Sequence, residues 1–152
     1  MLNIHQHIIL RFELEKGFFD KTVSVEDLPR IWNEKMKESL NVDVPSDAKG
    51  CLQDIHWSFG ALGYFPTYSL GAMMAAQLFE QAESEIPDLK VKISQGEFKP
   101  LREWLREKIH KVGSKHSSLD ELLMEVTGKP LDPYIYTNYL KKKYHKLYEI
   151  SK

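Results

Sequence analysis

The residues best suited to chemistry lie close together in residues 50–57. This segment places the amide of Gln53, the carboxylate of Asp54 and the imidazole of His56 within four positions. A carboxylate beside an imidazole can fix its tautomer and raise its basicity, as catalytic histidines require. Gln53 and Asp54 could equally cap a loop or helix end beside a buried, hydrogen-bonded His56. Spacing alone favours this structural interpretation and leaves the catalytic one open.

Aromatic residues and glycines follow this segment. Residues 64–68 read Tyr-Phe-Pro-Thr-Tyr, and Gly60 and Gly63 precede them. We interpret both glycines as turn residues, because glycine accepts positive φ and close backbone approach. Cys51 has no partner in a recognisable motif, so we expect a small buried residue rather than a reactive thiol. One cysteine excludes an intrachain disulfide and favours a reducing, cytoplasmic location.

The six histidines do not form a metal-binding motif. His5 and His7 are two residues apart, which places them on different faces of a helix. No histidine pair stands at i, i+4, and the sequence contains no His-Glu-x-x-His. Hydrolytic zinc sites need two or three protein ligands and an open coordination position. We therefore expect this chain to bind no metal specifically.

Charge and hydropathy exclude two further classes of partner. Residues 139–148 interleave lysines with tyrosines, a pattern that can bind nucleic acid. A structural explanation is better, because lysines stabilise the C-terminus of a helix and tyrosines at helical spacing usually pack against other residues. With 21 Lys and Arg against 22 Asp and Glu, net charge gives no attraction to nucleic acid. No apolar run approaches the ~20 residues that span a bilayer. We predict neither a nucleic-acid nor a membrane partner.

The pattern of apolar residues predicts an all-α protein. At 152 residues and 42% hydrophobic content, one unit covering 1–152 is expected. Gly17 should end the first helix, Ser24 and Asp27 resemble a capping box, and Thr67 and Ser118 are candidate N-caps. We expect an irregular assembly of about five to seven helices. Helices are predicted at residues 3–16, 24–40, 67–85, 97–112, 118–127 and 133–150.

One eight-residue pattern is specific enough to suggest a family. Gly50, Gln53, Asp54, His56 and Trp57 match the form Gly-x-x-Gln-Asp-x-His-Trp in full. This signature, with residues 50–71 as a whole, resembles the carboxypeptidase Taq family of zinc metallocarboxypeptidases. The resemblance extends from His7 to the C-terminus and is also carried by residues 7–15, 24–29 and 128–133.

The resemblance covers only the C-terminal third of that family's larger, mostly helical fold. In the family, the zinc-binding His-Glu-x-x-His, the third-ligand glutamate and an arginine that engages the substrate carboxylate all lie upstream. The resemblance therefore implies a zinc (or cobalt) enzyme that releases single residues from peptide C-termini, with this chain catalytically incomplete by itself. The alternative is a free-standing, non-catalytic helical interaction module derived from the family.

The resemblance also implies roles for individual residues. Asp54 and His56 would lie near the metal centre and contact or support the substrate. Tyr64 or Tyr68 would hydrogen-bond the substrate or a tetrahedral intermediate, with Tyr68 slightly preferred. We expect Gln53 to be structural. The candidate substrate-binding or supporting residues are Gln53, Asp54, His56, Tyr64 and Tyr68, with Trp57 as a packing anchor.

A part of a larger fold should expose apolar surface that the remainder covers. The first helix and residues 57–79 are the candidate surfaces. Such surfaces promote self-association, and the family resemblance implies a homodimer. The expected partners are thus a peptide substrate, the N-terminal part of the fold and a second copy of the chain.

Overall fold

A computed structural model describes residues 3–149 of the chain. Within this range the protein is helical and contains no β-strand, which confirms the all-α prediction. Three short 3₁₀ turns lie between the second and third helices, at Asp47–Lys49, Cys51–Gln53 and Trp57–Phe59. The helices are α1 (Ile4–Phe19), α2 (Leu28–Leu40), α3 (Pro66–Glu85), α4 (Leu89–Ser94), α5 (Lys99–Leu105), α6 (Leu119–Thr127) and α7 (Pro133–Tyr148).

The chain divides into two compact units, one up to Leu70 and one from Gly71 onward, so the boundary falls inside α3. Each unit has its own apolar core. The core of the first unit contains the buried residues Leu10, Leu14, Trp32 and Cys51. The core of the second contains the buried residues Leu78, Ala82, Leu89, Trp104, Leu123 and Val126. The assignment of the whole chain to one unit stays a prediction.

Helix α1 is longer than the sequence predicts. It continues through Gly17 to Phe19, so the expected stop at this glycine is wrong. The amides of Thr22 and Val23 donate to the carbonyl of Gly17 at 2.9 and 3.1 Å. A Cβ at position 17 would lie 2.5 Å from Val23 Cγ2. Glycine is required because the returning chain passes close to the helix, not because φ is positive.

The predicted contact between Ser24 and Asp27 is present, but α2 begins at Leu28, four residues after the predicted start. The Asp27 amide donates to Ser24 Oγ at 3.1 Å, and the Ser24 hydroxyl donates to Asp27 Oδ2 at 3.0 Å. This pair immediately precedes α2. Cys51 is buried, as predicted. Burial, with a smaller contribution from Asp47, raises the pKa of its thiol, which disfavours the reactive thiolate.

Helix α3 begins at Pro66, so the prediction of Thr67 as its N-cap is wrong. The Thr67 hydroxyl instead donates to the carbonyl of Tyr64 at 2.6 Å. The short helix α4 was not predicted. The helix predicted at 97–112 is divided into α5 and a π-helical turn, Arg106–His110.

The last two helices follow their predicted capping signals. Ser118 Oγ accepts a hydrogen bond from the Glu121 amide at 3.2 Å, which confirms this N-cap. Gly128 ends α6 with a φ of 75°. Helix α7 is described to Tyr148, and the predicted end at Ile150 lies outside the described residues. None of the described helices is long and apolar enough to span a membrane.

Candidate functional site

The site is built where α1 meets the segment that carries the signature. Arg11 Nε donates to Asp54 Oδ2 at 2.6 Å, and both side chains are largely buried, with 14% and 7% exposed. The guanidinium lies 4.8 Å from the ring centroid of Trp32 and 5.2 Å from that of Phe65. Arg11 Nη1 also donates to the carbonyl of His7 at 3.0 Å. The aromatic faces and this carbonyl hold the guanidinium in one orientation, whereas the arginine of an exposed ion pair is free to move.

Asp54 links the arginine to the imidazole of His56. Its Oδ1 accepts from the His56 amide at 3.0 Å and lies 2.6 Å from His56 Nδ1. Burial acts to raise the pKa of Asp54, but hydrogen bonds from Arg11 and His56 outweigh it, so this pKa lies below its ordinary value. An ionised carboxylate only accepts hydrogen bonds, so Nδ1 carries the proton. In neutral His56, Nε2 is then left as the acceptor.

The second nitrogen of the imidazole faces a tyrosine hydroxyl. His56 Nε2 lies 3.2 Å from the hydroxyl oxygen of Tyr68, which stands in the first turn of α3. The His56 ring stacks on Tyr64 with a centroid separation of 5.6 Å and contacts Phe65 at 4.9 Å. Tyr68 is 48% exposed. A continuous polar chain of hydrogen-bonded side chains therefore runs from the interior to the exposed Tyr68. Its members are Arg11, Asp54, His56 and Tyr68.

This chain of residues opens on a shallow cavity of about 320 Å³. One wall carries the polar groups of His56 and Tyr68, and Ile4 and Ile8 supply apolar surface. The cavity offers a hydroxyl donor beside an apolar wall, an arrangement typical of ligand-binding sites. It is lined by Ile4, His7, Ile8, Arg11, Asp54, His56, Phe65 and Tyr68.

A buried carboxylate on α1 holds the loop between the signature and α3. Glu15 is 2% exposed, and its Oε1 accepts from Trp57 Nε1 at 2.7 Å. Its Oε2 accepts from the amide of Gly63 at 3.0 Å. The Trp57 ring packs edge-on against Trp32 at a centroid distance of 6.0 Å. Trp57 is thus held by packing and by Glu15 together.

Four of the five predicted site residues come together, and one lies apart. Asp54 and His56 are bonded to each other, and both Tyr64 and Tyr68 contact the His56 ring. Gln53 instead donates from Nε2 to the carbonyl of Ala48, so its side chain supports the preceding turn. Its geometry agrees with the structural role expected for it.

Arg11 and Glu15 belong to no recognisable chemical motif in the sequence. Both lie in residues 7–15, which carry part of the family resemblance. They are oppositely charged and stand at i, i+4, so they share one face of the helix. The same helix carries Glu13 and Lys16, so charge alone does not single out the buried pair.

The described residues do not fit a metal centre. Within residues 3–149, no group of three or more His, Cys, Asp and Glu side chains is arranged to hold a metal ion. The chemistry that this part of the chain offers is hydrogen bonding and orientation. No reaction step is therefore assigned to a metal held by these residues.

Comparison with known proteins identifies the family. Residues 2–144 match the family model described as carboxypeptidase Taq (M32) metallopeptidase. The chain belongs to this family. The match begins before His7, where the predicted range starts, and ends at residue 144, before the predicted end at the C-terminus. It confirms the resemblance suggested by the signature at residues 50–57.

Curated relatives support the same assignment. Carboxypeptidase 1 of Bacillus subtilis (strain 168) is 44% identical over 142 residues, which are 93% of this chain and 28% of that protein. Thermostable carboxypeptidase 1 of Pyrococcus furiosus is 41% identical over 138 residues, or 91% of this chain and 28% of that protein. The chain thus spans 28% of the length of each of these two relatives.

Solved structures of the family share this fold. The M32 carboxypeptidase from Deinococcus radiodurans R1 matches with a TM-score of 0.91 at 35% identity, over 96% of this chain and 29% of that one. Trypanosoma cruzi metallocarboxypeptidase 1 matches with a TM-score of 0.85 at 43% identity, over 92% and 29% of the two chains. The matching region is the C-terminal helical part of the family fold.

Proposed function

We propose that this chain forms the C-terminal part of a metal-dependent carboxypeptidase and supplies a substrate-binding wall of its active site. The curated relatives named above are carboxypeptidases, and the chain matches 28% of their length. The observation that carries the proposal is the polar chain from Arg11 to the Tyr68 hydroxyl, which ends at an open cavity. The metal, zinc or cobalt, would be bound by residues outside this chain.

In this proposal the Tyr68 hydroxyl donates a hydrogen bond to an oxygen of the substrate. His56 Nε2 holds the hydroxyl in the unliganded site, and the hydroxyl turns from Nε2 to a carbonyl oxygen when the peptide binds. A donor aimed at an oxygen stabilises negative charge that develops there during hydrolysis. Tyr64 stacks on His56 and supports the ring only through its ring face.

Exposed apolar side chains in the first unit fit the proposal of a larger enzyme. On α1, Ile9 is 53% exposed and Phe12 is 47% exposed. In residues 57–70, Phe59 is 65% exposed. We infer that the remainder of the enzyme covers these surfaces and that the isolated chain self-associates through them. The homodimer and the cytoplasmic location stay predictions, the second resting on the single cysteine.

A chimeric enzyme tests the proposed function. This chain replaces the matching 142 residues of Bacillus subtilis carboxypeptidase 1, and release of the C-terminal residue from a blocked dipeptide is measured with zinc or cobalt. The expected result is an active chimera and an inactive isolated chain. Robust turnover by the isolated chain would contradict its catalytic incompleteness. A folded, metal-loaded but inactive chimera would favour the alternative, a non-catalytic interaction module.

A further inference from the structure

Two charged residues of α1 reach the site from one helix face. Arg11 and Glu15 are one turn apart, and their partners lie 42 to 48 positions later in the chain. Both side chains are largely buried, although charged groups leave water only at a considerable cost. The Arg11 guanidinium and the Glu15 carboxylate make their side-chain contacts with the candidate site and with the residues that pack beside it.

We propose that Arg11 and Glu15 are positioning residues that set the geometry of His56 and Tyr68. Arg11 holds the Asp54 carboxylate, which fixes the proton of His56 on Nδ1 and leaves Nε2 to orient the Tyr68 hydroxyl. Glu15 holds the loop that leads from His56 to Tyr64. This inference rests on the proposed substrate contact of Tyr68, because it states how that contact is oriented.

The two carboxylate oxygens of Asp54 bind different partners. Oδ1 receives both donors from His56, while Oδ2 receives the Nε proton of Arg11. Without that donor, a largely buried carboxylate oxygen would lack its strongest partner, and the carboxylate could rotate to satisfy it. The guanidinium cannot follow such a rotation because Trp32, Phe65 and the His7 carbonyl fix it. Arg11 therefore prevents the carboxylate from turning away from Nδ1.

The Glu15 carboxylate accepts hydrogen bonds from two groups that are far apart in the loop. Trp57 Nε1 and the Gly63 amide stand at the two ends of the turn that follows His56. Gly63 has a φ of 78°, a conformation that costs little only for glycine. One carboxylate closes this turn, and Tyr64 follows it directly. Glu15 thereby fixes where the ring that stacks on His56 emerges.

A local contact offers the competing explanation. The His56 amide donates to Asp54 Oδ1, and this two-residue turn could orient the carboxylate without help from α1. The two explanations predict different tautomers for His56 when Arg11 is replaced. The imidazole nitrogens report the tautomer directly, and loss of helix packing alone does not select one nitrogen over the other.

The test measures the ¹⁵N signals of the neutral His56 imidazole in the 152-residue chain, assigned by their loss in His56→Gln. Wild type should carry its proton on Nδ1. Arg11→Gln should give a mixture of tautomers, and Arg11→Lys should restore part of the wild-type signal. Arg30→Gln, which removes an exposed arginine paired with Glu34 on α2, should change nothing. An unchanged tautomer in Arg11→Gln would overturn the proposal in favour of the local turn.

Asp54→Asn provides a second variant that does not depend on the stability of Arg11→Gln. An asparagine has one carbonyl oxygen, so it cannot accept from both Arg11 and His56 as the carboxylate does. The single Nδ1 tautomer should therefore be lost, and an unchanged tautomer in Asp54→Asn would overturn the proposal. For Glu15, exchange of the Trp57 indole proton with solvent should be faster in Glu15→Gln than in wild type. Glu13→Gln is the control and should leave this exchange unchanged, because Glu13 is exposed and pairs with Lys35. Equal exchange in both variants would overturn the role of Glu15.

In the chimera, Arg11→Gln should lower kcat by about 10²-fold, the loss typical of a misplacement near 1 Å, with a smaller change in KM. An altered tautomer with unchanged kcat would support the positioning role and contradict the proposed function of Tyr68. Failure of the positioning role and failure of the proposed Tyr68 contact therefore give different results.

Discussion

At the scale of single residues, the proposed function depends most directly on the hydroxyl of Tyr68. Its oxygen lies 3.2 Å from His56 Nε2, and the tyrosine is 48% exposed at the cavity. Tyr64 is also exposed, but it contacts His56 through its ring face. This difference in geometry separates two residues that the sequence left nearly equivalent.

Tyr68→Phe in the chimera should lower kcat by about 10²-fold or more, because removing one preorganised donor to a developing oxyanion has this effect in hydrolases. Tyr64→Phe is the matched control and should retain activity, since the ring and its stacking remain. Steady-state kinetics on a blocked dipeptide measures both. Equal losses in the two variants, or full activity in Tyr68→Phe, would contradict the proposed role.

The Asp54 carboxylate should make stability depend on pH in the acid range. Its folded-state pKa is lowered, so its contribution is complete above about pH 5 and is lost as pH falls through the folded pKa. Urea unfolding of the chain should therefore show a smaller loss of stability between pH 5 and pH 2 in Asp54→Asn than in wild type. Asp43→Asn, at an exposed residue, should behave like wild type. An identical pH dependence in Asp54→Asn would show that this carboxylate is not stabilised by its partners.

The sequence predicted part of the site for a simple reason. Asp54 and His56 are two residues apart, so their contact is local and their spacing reveals it. Arg11 meets Asp54 across 43 residues and Glu15 meets Gly63 across 48. Such contacts depend on how α1 packs on the loop, which no local pattern encodes. Gln53 contacts the backbone of Ala48 instead of the site, although it belongs to the same signature.

At the scale of elements, the end of α1 depends on close packing. The chain turns back at residues 20–23 and places Val23 against Gly17. A β-branched valine has little rotamer freedom with which to make room for an added methyl group. Position 17 therefore constrains both the helix and the turn that leads to α2.

Gly17→Ala should reduce the free energy of unfolding by about 1–3 kcal/mol, the usual cost of inserting a methyl group into a packed site. Its Cβ would approach Val23 Cγ2 to 2.5 Å. Gly71→Ala is the control, because its Cβ would meet nothing within 4 Å inside α3, and helix propensity favours alanine by up to about 1 kcal/mol. Urea denaturation measures both. An equal response of the two variants would contradict the packing role of Gly17.

Capping signals predicted the helix ends unevenly, with success at Ser118 and failure at Gly17 and Thr67. Ser118 and Glu121 form the predicted N-terminal contact of α6. Helix α4 has only six residues, too few for a periodic pattern to emerge. The π-helical turn after α5 keeps apolar residues at spacings of three and four, so the sequence pattern alone reads it as one continuous helix.

At the scale of the whole molecule, the chain combines two compact cores with extensive exposed apolar side chains. In the first unit these include Ile9, Phe12 and Phe59, each close to or above half exposed. Isolated apolar residues on a surface are ordinary, but several on one helix and its neighbouring loop support the proposal of a covered surface. The match to 28% of the relatives' length agrees with that proposal.

The isolated chain should self-associate, and the double variant Ile9→Lys/Phe12→Lys should reduce that association. Removing apolar surface weakens the driving force for contact between copies, and the added charge opposes it. Val91→Lys, at a residue of the second unit that is 53% exposed, is the matched control. Sedimentation velocity over a concentration series measures the effect. A wild-type chain that stays monomeric at high concentration would contradict the covered surface.

Catalysis by the chimera with Bacillus subtilis carboxypeptidase 1 is the most direct measurement of the proposed function. The chimera should release C-terminal residues at a rate comparable to that of the intact Bacillus subtilis enzyme, while the 152-residue chain alone releases none under the same conditions. A folded, metal-loaded chimera without carboxypeptidase activity would contradict the conclusion that this chain supplies part of a carboxypeptidase active site.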